Sequence, residues 1–195
     1  MSLFLSDADL IHFLSRIPGT QDRTDYVYHL LQIGRQVPDA KVVVEIGSFL
    51  GGSGIALAYA CPKADIFCVD PAFAPTRSGY TGVCHHHFRH NALTAGVSDR
   101  MHAIGQYSVG VGGFLADFNY AGQPRFDIDL LYIDGEHTYE GVRGDCAWMN
   151  RVRPDGLVAF DDWIEPVARA AQECLDGWTL AMPDNFFPRV YRRNV

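Results

Sequence analysis

Three aspartates and a histidine sit at positions from which they could act on one small molecule. Asp134 is followed by Gly135-Glu136-His137-Thr138-Tyr139, and a paired Asp161-Asp162 comes later. Each acidic position follows an apolar run, Phe126–Ile133 in one case and Leu157–Phe160 in the other. Residues just past such runs emerge on the carboxyl rim of an open sheet, where ligands bind. Carboxylates converging there repel one another unless a cation compensates them. Aspartate oxygens select a hard ion, with Mg²⁺ the leading candidate, and of the paired residues one could ligate while the other stays behind it. His137 lies near the start of a helix and can take a proton near neutral pH, which suits a general base acting on a hydroxyl. The plainer alternatives are a histidine packed at a helix start and an acidic loop that caps the helix at Pro166.

A second cluster opens earlier. Val42-Val43-Val44-Glu45-Ile46 is a buried strand in pattern, and Gly47-Ser48-Phe49-Leu50-Gly51-Gly52-Ser53 is a glycine-rich turn into a helix. Such a turn lets backbone approach a ligand, and the helix start supplies unpaired N–H groups. Its spacing excludes two common tenants. Gly47 and Gly52 have the Walker separation, but Ser53 stands where the phosphate-binding lysine belongs. A dinucleotide fingerprint needs a glycine where Phe49 is found. Asp70 ends the next strand, where a carboxylate can accept hydrogen bonds from both hydroxyls of a ribose. Glu45, at the strand mouth, suits a positively charged ligand. Ribose plus cation without pyrophosphate describes S-adenosylmethionine; the alternative is a tight structural turn with Asp70 capping a loop.

The elements that must position these groups alternate. Ser6-Asp7-Ala8-Asp9 predicts a capped helix with Leu10, Phe13, Leu14 and Ile17 on one face, ended by Pro18-Gly19. Thr24 opens a second helix to about Val37. From Lys41 the pattern becomes strand Lys41–Ile46, helix Ser53–Ala60 and strand Ala64–Val69. A long Gly/Pro/His segment follows, then helix His90–Gly96, strand Arg100–Ile104 and a short helix Gly110–Tyr120. Strand Phe126–Ile133, helix Tyr139–Arg151, a turn at Pro154-Asp155-Gly156, strand Leu157–Phe160 and helix Pro166–Leu175 come next. Trp178–Met182 and Phe187–Arg193 form a closing antiparallel pair. This alternation predicts an α/β, doubly wound, mainly parallel sheet in a single domain, with residues 1–38 as helices and 39–195 as the core.

The bulk numbers narrow the partners. A formal net charge of −7 argues against nucleic acid, whose phosphates need clustered Lys and Arg. No apolar run reaches the roughly 20 residues that span a bilayer, and no signal-peptide pattern opens the chain. The cysteines number 5 and form no CxxC pair, so a reduced, cytoplasmic setting is expected. Cys84-His85-His86-His87-Phe88-Arg89-His90 lacks the paired spacing of a structural zinc site.

On these residues, Glu45 to Ser53 resembles the first motif of class I S-adenosylmethionine-dependent methyltransferases, and Val69-Asp70 their acidic second motif. Asn91 to Ser108 is similar to their third-strand region. The resemblance implies a seven-stranded, Rossmann-like sheet with a reversed C-terminal strand, and a loop from Gln106 to Ser108 lying against adenine. Cofactor contacts then fall to Glu45, Gly47, Ser48, Phe49, Gly51, Ser53, Asp70, Gln106, Tyr107, Ser108 and Asp134. Asp134 to Tyr139 with Asp161-Asp162 resembles a narrower group, the metal-dependent macrocin- and mycinamicin-type O-methyltransferases. That likeness implies Asp134, Asp161 and Asp162 as Mg²⁺ ligands, His137 as base, and a hydroxyl on a sugar, phenolic or other secondary metabolite as acceptor; aspartate at 161, where some members carry glutamate, departs from the pattern but keeps its charge. Two other classes compete. An NAD-dependent oxidoreductase could use Asp70, but Phe49 and the lack of a Tyr-x-x-x-Lys pair weigh against it. A non-catalytic cofactor-binding scaffold fits the short chain, but the acids and histidine favour an enzyme. A homo-oligomer remains open, since a second subunit could supply a lid.

Overall fold

The computed structural model describes residues 6–17, 24–74, 81–109 and 127–195, excluding the side chains of 81–83. The helix expected at Gly110–Tyr120 lies outside them. Helices α1 (Asp7–Leu14) and α2 (Thr24–Gly34) precede strand β1 (Val42–Ile46). Then come α3 (Gly52–Ala60), β2 (Asp65–Val69), a 3-10 turn at Pro71–Phe73, α4 (Thr81–Thr94) and β3 (Met101–Ile104). The second half holds β4 (Ile128–Ile133), α5 (Tyr139–Asp145), a 3-10 segment Cys146–Arg151, β5 (Val152–Phe160), α6 (Glu165–Gln172), β6 (Trp178–Leu180) and β7 (Arg189–Arg193). Among the described residues these strands form one 7-stranded sheet in the order β3-β2-β1-β4-β5-β7-β6. β1 to β5 run parallel, and β7 is antiparallel to both neighbours. The doubly wound sheet with a reversed final strand is therefore present.

Alternation along the strands sorts the core. Val43 in β1, Ile66 and Cys68 in β2, Leu130 and Tyr132 in β4 and Leu157 and Ala159 in β5 face a layer containing α1, α2, α3 and α4. Val42, Val44, Ile46, Leu131, Ile133, Val158 and Phe160 face α5, the 3-10 segment and α6. Central parallel strands covered on both sides read as continuous apolar runs, which explains why β1 lacks an obvious polar face. The chain runs outward from β1 through β2 to β3, then returns to place β4 on the other side of β1. The carboxyl ends of β1 and β4 thus flank the point where the winding direction switches.

Three elements depart furthest from the sequence expectation, while other ends shift by a few residues, as at α2, which stops at Gly34 rather than Val37. α4 begins at Thr81 and takes in the histidine run, because Cys84, Phe88 and Ala92, spaced by four, bury one helical stripe. Phe88 packs on Phe73 with ring centroids 4.7 Å apart. The expected helix Tyr139–Arg151 tightens into 3-10 geometry at Cys146. β5 starts at Val152, ahead of the expected turn, and the register shifts between Ile128 and Leu130 to absorb Pro154-Asp155-Gly156. Asp155, with φ of 62°, sits in that irregularity.

One buried carboxylate ties the sheet's amino edge together. Asp129, within β4, accepts from the Lys41 N–H at 2.7 Å and the Val42 N–H at 2.9 Å, and pairs with Arg153 of β5. Asp129→Ala would strand two backbone donors at the start of β1. The expected cost is about 2–4 kcal/mol, read as a lowered urea midpoint in equilibrium unfolding.

Candidate active site

At the switch point β1 and β4 nearly touch. The Asp134 N–H donates to the Ile46 carbonyl at 2.8 Å, and the Gly47 N–H donates to the Val69 carbonyl at 2.9 Å. Gly47 has φ of +88°, and a Cβ built on it would overlap the carbonyl oxygen of Asp134. Glycine is needed at 47 because another backbone already occupies the space. Phe49, two residues on, also has positive φ (43°). Its N–H donates to Asp70 Oδ2 at 2.8 Å, while Asp70 Oδ1 accepts from the Ala72 N–H at 2.7 Å. Asp70 thereby pins the glycine turn to β2, and each of its oxygens keeps acceptor capacity for a ligand hydroxyl.

A cleft of about 360 Å³ opens over this junction. Gly47, Phe49, Asp70, Tyr107, Ser108 and Asp134 line it, joined by Gly135, Glu136, Glu140 and Asp145. Glu45, Ser48, Gly51, Ser53 and Gln106 are not on its wall. The strand's alternation turns Glu45 under α3, where it is fully buried and a Cβ on Gly54 would meet its Oε2 at 2.8 Å. Burial pushes its pKa up, and although Ser48, Ser53 and Cys68 lie beside it, neither carboxylate oxygen has a hydrogen-bond partner among the described residues. The carboxylate expected at the strand mouth therefore supports the turn from below. Gly51, φ +84°, starts α3 against the Phe88 ring, where a Cβ would lie 2.7 Å from Cδ2.

The loop after β3 is held to the cleft by groups the sequence did not single out. Ser108 Oγ donates to Asp145 Oδ1, and Trp148 Nε1 donates to the Ser108 carbonyl at 3.1 Å. Burial pushes the Asp145 carboxyl up to about 6, partly offset by the Ser108 hydrogen bond.

Beside the cleft stands an acid–imidazole cluster. Candidate ligand atoms of Asp134, His137 and Asp162 all lie within 4.8 Å of one another. His137 Nε2 is 3.3 Å from Asp134 Oδ1 and its Nδ1 is 3.5 Å from Asp162 Oδ2. The hydrogen bond with Asp134 raises the His137 pKa, outweighing desolvation. Burial, with Asp161 and Glu45 nearby, pushes Asp134 up to about 7. The acidic pair is split. Asp161 is buried and set back among Asp134, Tyr26 and Tyr132, while Asp162, with φ of 43°, turns outward. Among the described residues the group close enough to share an ion is Asp134, His137 and Asp162; Asp161, expected with Asp134 and Asp162 as a ligand, is not part of it. Tyr26 on α2 was missed altogether. Its hydroxyl is 2.7 Å from that of Tyr132 and donates to Asp134 Oδ2 at 3.4 Å. Among the described residues the His85–His90 run assembles no such cluster; it lies along a separate open groove of about 820 Å³ between α4 and β3.

A family model described as a methyltransferase domain matches residues 44–163. The chain belongs to this methyltransferase domain family. The match spans the glycine turn, Asp70, the loop after β3 and the acid–imidazole cluster, in agreement with the class I resemblance and against the oxidoreductase and scaffold alternatives. No curated protein sequence matches the chain. Among solved structures, the methyltransferase fold is shared with the O-methyltransferase TomG from Streptomyces achromogenes, described in complex with SAM, at TM-score 0.68 and 16% identity over 99% of this chain and 93% of that one. CalS11, a TDP-rhamnose 3'-O-methyltransferase, aligns at TM-score 0.65 and 20% identity over 96% and 92%. An O-methyltransferase from Bacillus cereus in complex with SAH aligns at 0.60 and 14% over 97% and 91%. No described helix is long and apolar enough to cross a membrane.

Asp145 generates a pH signature. Its folded pKa lies above the ordinary carboxylate value, so the folded state holds the proton more tightly than the unfolded chain. Its stability contribution is complete below about pH 4 and is lost as pH rises through about 6. Asp145→Asn keeps an oxygen for Ser108 but removes the titration. The variant is expected to gain on the wild type between pH 4 and 7 by on the order of 2–3 kcal/mol, measured as urea midpoints across that range.

Proposed function

We propose that this methyltransferase moves the methyl group of S-adenosylmethionine to a hydroxyl of a small molecule, with a divalent cation, best Mg²⁺, at the Asp134–His137–Asp162 cluster. The observation that carries this reading is that Asp134 belongs to both places. It lines the cleft beside the glycine turn and it anchors the cluster. An acceptor oxygen held at the cluster would therefore lie next to the methyl donor.

The residues present suit both groups. The cleft wall carries Asp70, Asp134, Glu136, Glu140 and Asp145, which favours a cationic sulfonium over a pyrophosphate. Asp70 has lone pairs left for ribose hydroxyls, and Tyr107 offers an exposed ring for an adenine face. For the cation, Asp134 and Asp162 supply hard oxygen ligands. His137 lies between them with one ring nitrogen toward each carboxylate, which raises its basicity. A bound divalent ion would supply charge stabilisation to an acceptor oxygen and lower its pKa.

The chain's own groups do the rest. Tyr26 holds Oδ2 of Asp134, leaving Oδ1 toward His137. His137, 38% exposed, can reach an acceptor hydroxyl and take its proton at Nε2. Asp162 orients the imidazole through Nδ1. The deprotonated oxygen attacks the methyl carbon, the carbon–sulfur bond breaks and a neutral thioether leaves; catalysis is chiefly alignment and charge stabilisation. The acceptor class is a hydroxylated sugar, phenolic or other secondary metabolite; CalS11 is a TDP-rhamnose 3'-O-methyltransferase and TomG is involved in tomaymycin synthesis.

Two measurements test this. Asp162→Asn is expected to weaken Mg²⁺ binding at least about tenfold and to slow methyl transfer, with S-adenosylhomocysteine affinity by calorimetry unchanged; turnover indifferent to EDTA would remove the cation from the mechanism. Asp70→Ala is expected to weaken S-adenosylhomocysteine binding about 10- to 100-fold, the worth of charged hydrogen bonds to ribose. Unaltered binding would place the nucleoside elsewhere.

A further inference from the structure

Cys146 and Cys174 meet outside the cleft, and nothing in methyl transfer uses them. Cys146 stands where α5 gives way to the 3-10 segment, and Cys174 follows α6. The packing of those elements sets the two side chains beside each other on one groove, close enough for each to act on the other's thiol. Cys146 is buried and Cys174 half-buried. Both line an open groove of about 670 Å³ that also carries Arg143 and Arg193. Arg143 Nη1 lies 2.8 Å from Cys174 Sγ, which itself donates to the Ala170 carbonyl at 3.3 Å. A guanidinium at this distance stabilises the negative charge that develops on the sulfur as it reacts with an oxidant.

The other cysteines lack this setting. Cys61, Cys68 and Cys84 are buried, and burial pushes the Cys61 thiol up to about 12 and raises the other two. Cys146 shares their burial and its thiol is likewise pushed up by it, so selectivity falls to Cys174, the one cysteine that is not buried and has a guanidinium against it.

The position is also connected to the cleft. Asp145, next to Cys146, accepts from Ser108, and Trp148 holds the Ser108 carbonyl. Moving Cys146 by the roughly 2 Å that separates a thiol contact from a sulfur–sulfur bond pulls on both anchors of the loop after β3.

We propose that Cys146 and Cys174 form an oxidisable dithiol, closed reversibly by hydrogen peroxide, whose closure loosens the cofactor loop through Asp145 and Trp148. The Cys174 thiolate attacks one peroxide oxygen, the O–O bond breaks and hydroxide leaves, giving a sulfenic acid. The Cys146 sulfur then attacks that sulfur; the S–S bond forms, the S–O bond breaks, and the Cys146 proton leaves with the hydroxyl as water. Two thiols and one peroxide yield one disulfide and two waters, so peroxide is reduced and the cysteines oxidised.

The full chain is treated with equimolar hydrogen peroxide, alkylated and mapped by peptide mass spectrometry. The expected product is a Cys146–Cys174 linked peptide, two hydrogens lighter than the reduced pair and abolished by dithiothreitol. Cys146→Ser is expected to leave a Cys174 sulfenic acid that dimedone traps, and Arg143→Gln to slow oxidation roughly three- to tenfold. Modification of Cys61, Cys68 or Cys84 instead, or a link between two chains through Cys174, would overturn the dithiol. The coupling, which rests on the cleft being the cofactor site, is read separately as S-adenosylhomocysteine affinity before and after oxidation. A several-fold loss restored by dithiothreitol and absent in Cys174→Ser supports it, and a link formed with unchanged affinity overturns it. A reduced chain that binds no S-adenosylhomocysteine would fail the cofactor reading alone, since the peptide map still judges the dithiol.

Discussion

The close passage of Gly47 over the Asp134 backbone is the constraint on which the site depends. No side chain fits between the ends of β1 and β4 there, and the left-handed backbone of Gly47 sends the turn away from the sheet. The same passage sets Asp134 at the rim, where one carboxylate serves both the cleft and the acid–imidazole cluster. Widening it would move the cleft away from the acid–imidazole cluster. The position of the glycine therefore matters here through backbone packing first and ligand approach second.

Around that passage, buried carboxylates divide the labour. Asp129 satisfies backbone donors at the amino end of β1, Asp70 does the same for the glycine turn, and Asp145 secures the loop after β3. Each is buried and hydrogen-bonded, as burial of a charge requires. Glu45 differs, because it is buried without a hydrogen-bond partner among the described residues, and burial raises its pKa. Asp70 and Asp145 do this while also lining the cleft, so supporting acids and cleft acids overlap and look alike in sequence.

Much of the fold is legible in the residue pattern. Continuous apolar runs mark β1 and β4, and the cap at Ser6 starts α1 as expected. The misread helix at α4 shows where pattern fails. The histidines at 85–87 look like loop composition, yet Cys84, Phe88 and Ala92 carry the burial that decides the matter. The break in the helix after Asp145 and the early start of β5 had no local signal of that strength. Asp129 did leave one, a charge inside an apolar strand, which must find partners. Tyr26 left none, since its role arises from a helix packed across the sheet, remote in sequence from Asp134.

By itself, the sequence determined the order of strands and helices, the glycine turn and the rim positions of Asp134, His137 and Asp162, because periodicity and turn chemistry act over a few residues. Only the tertiary structure decided that Glu45 faces inward under α3, that Asp161 and Asp162 part company, and that Tyr26 and Asp145 join the site. Those outcomes depend on which face of a strand meets which helix. A period of two assigns faces, but only packing assigns what each face meets.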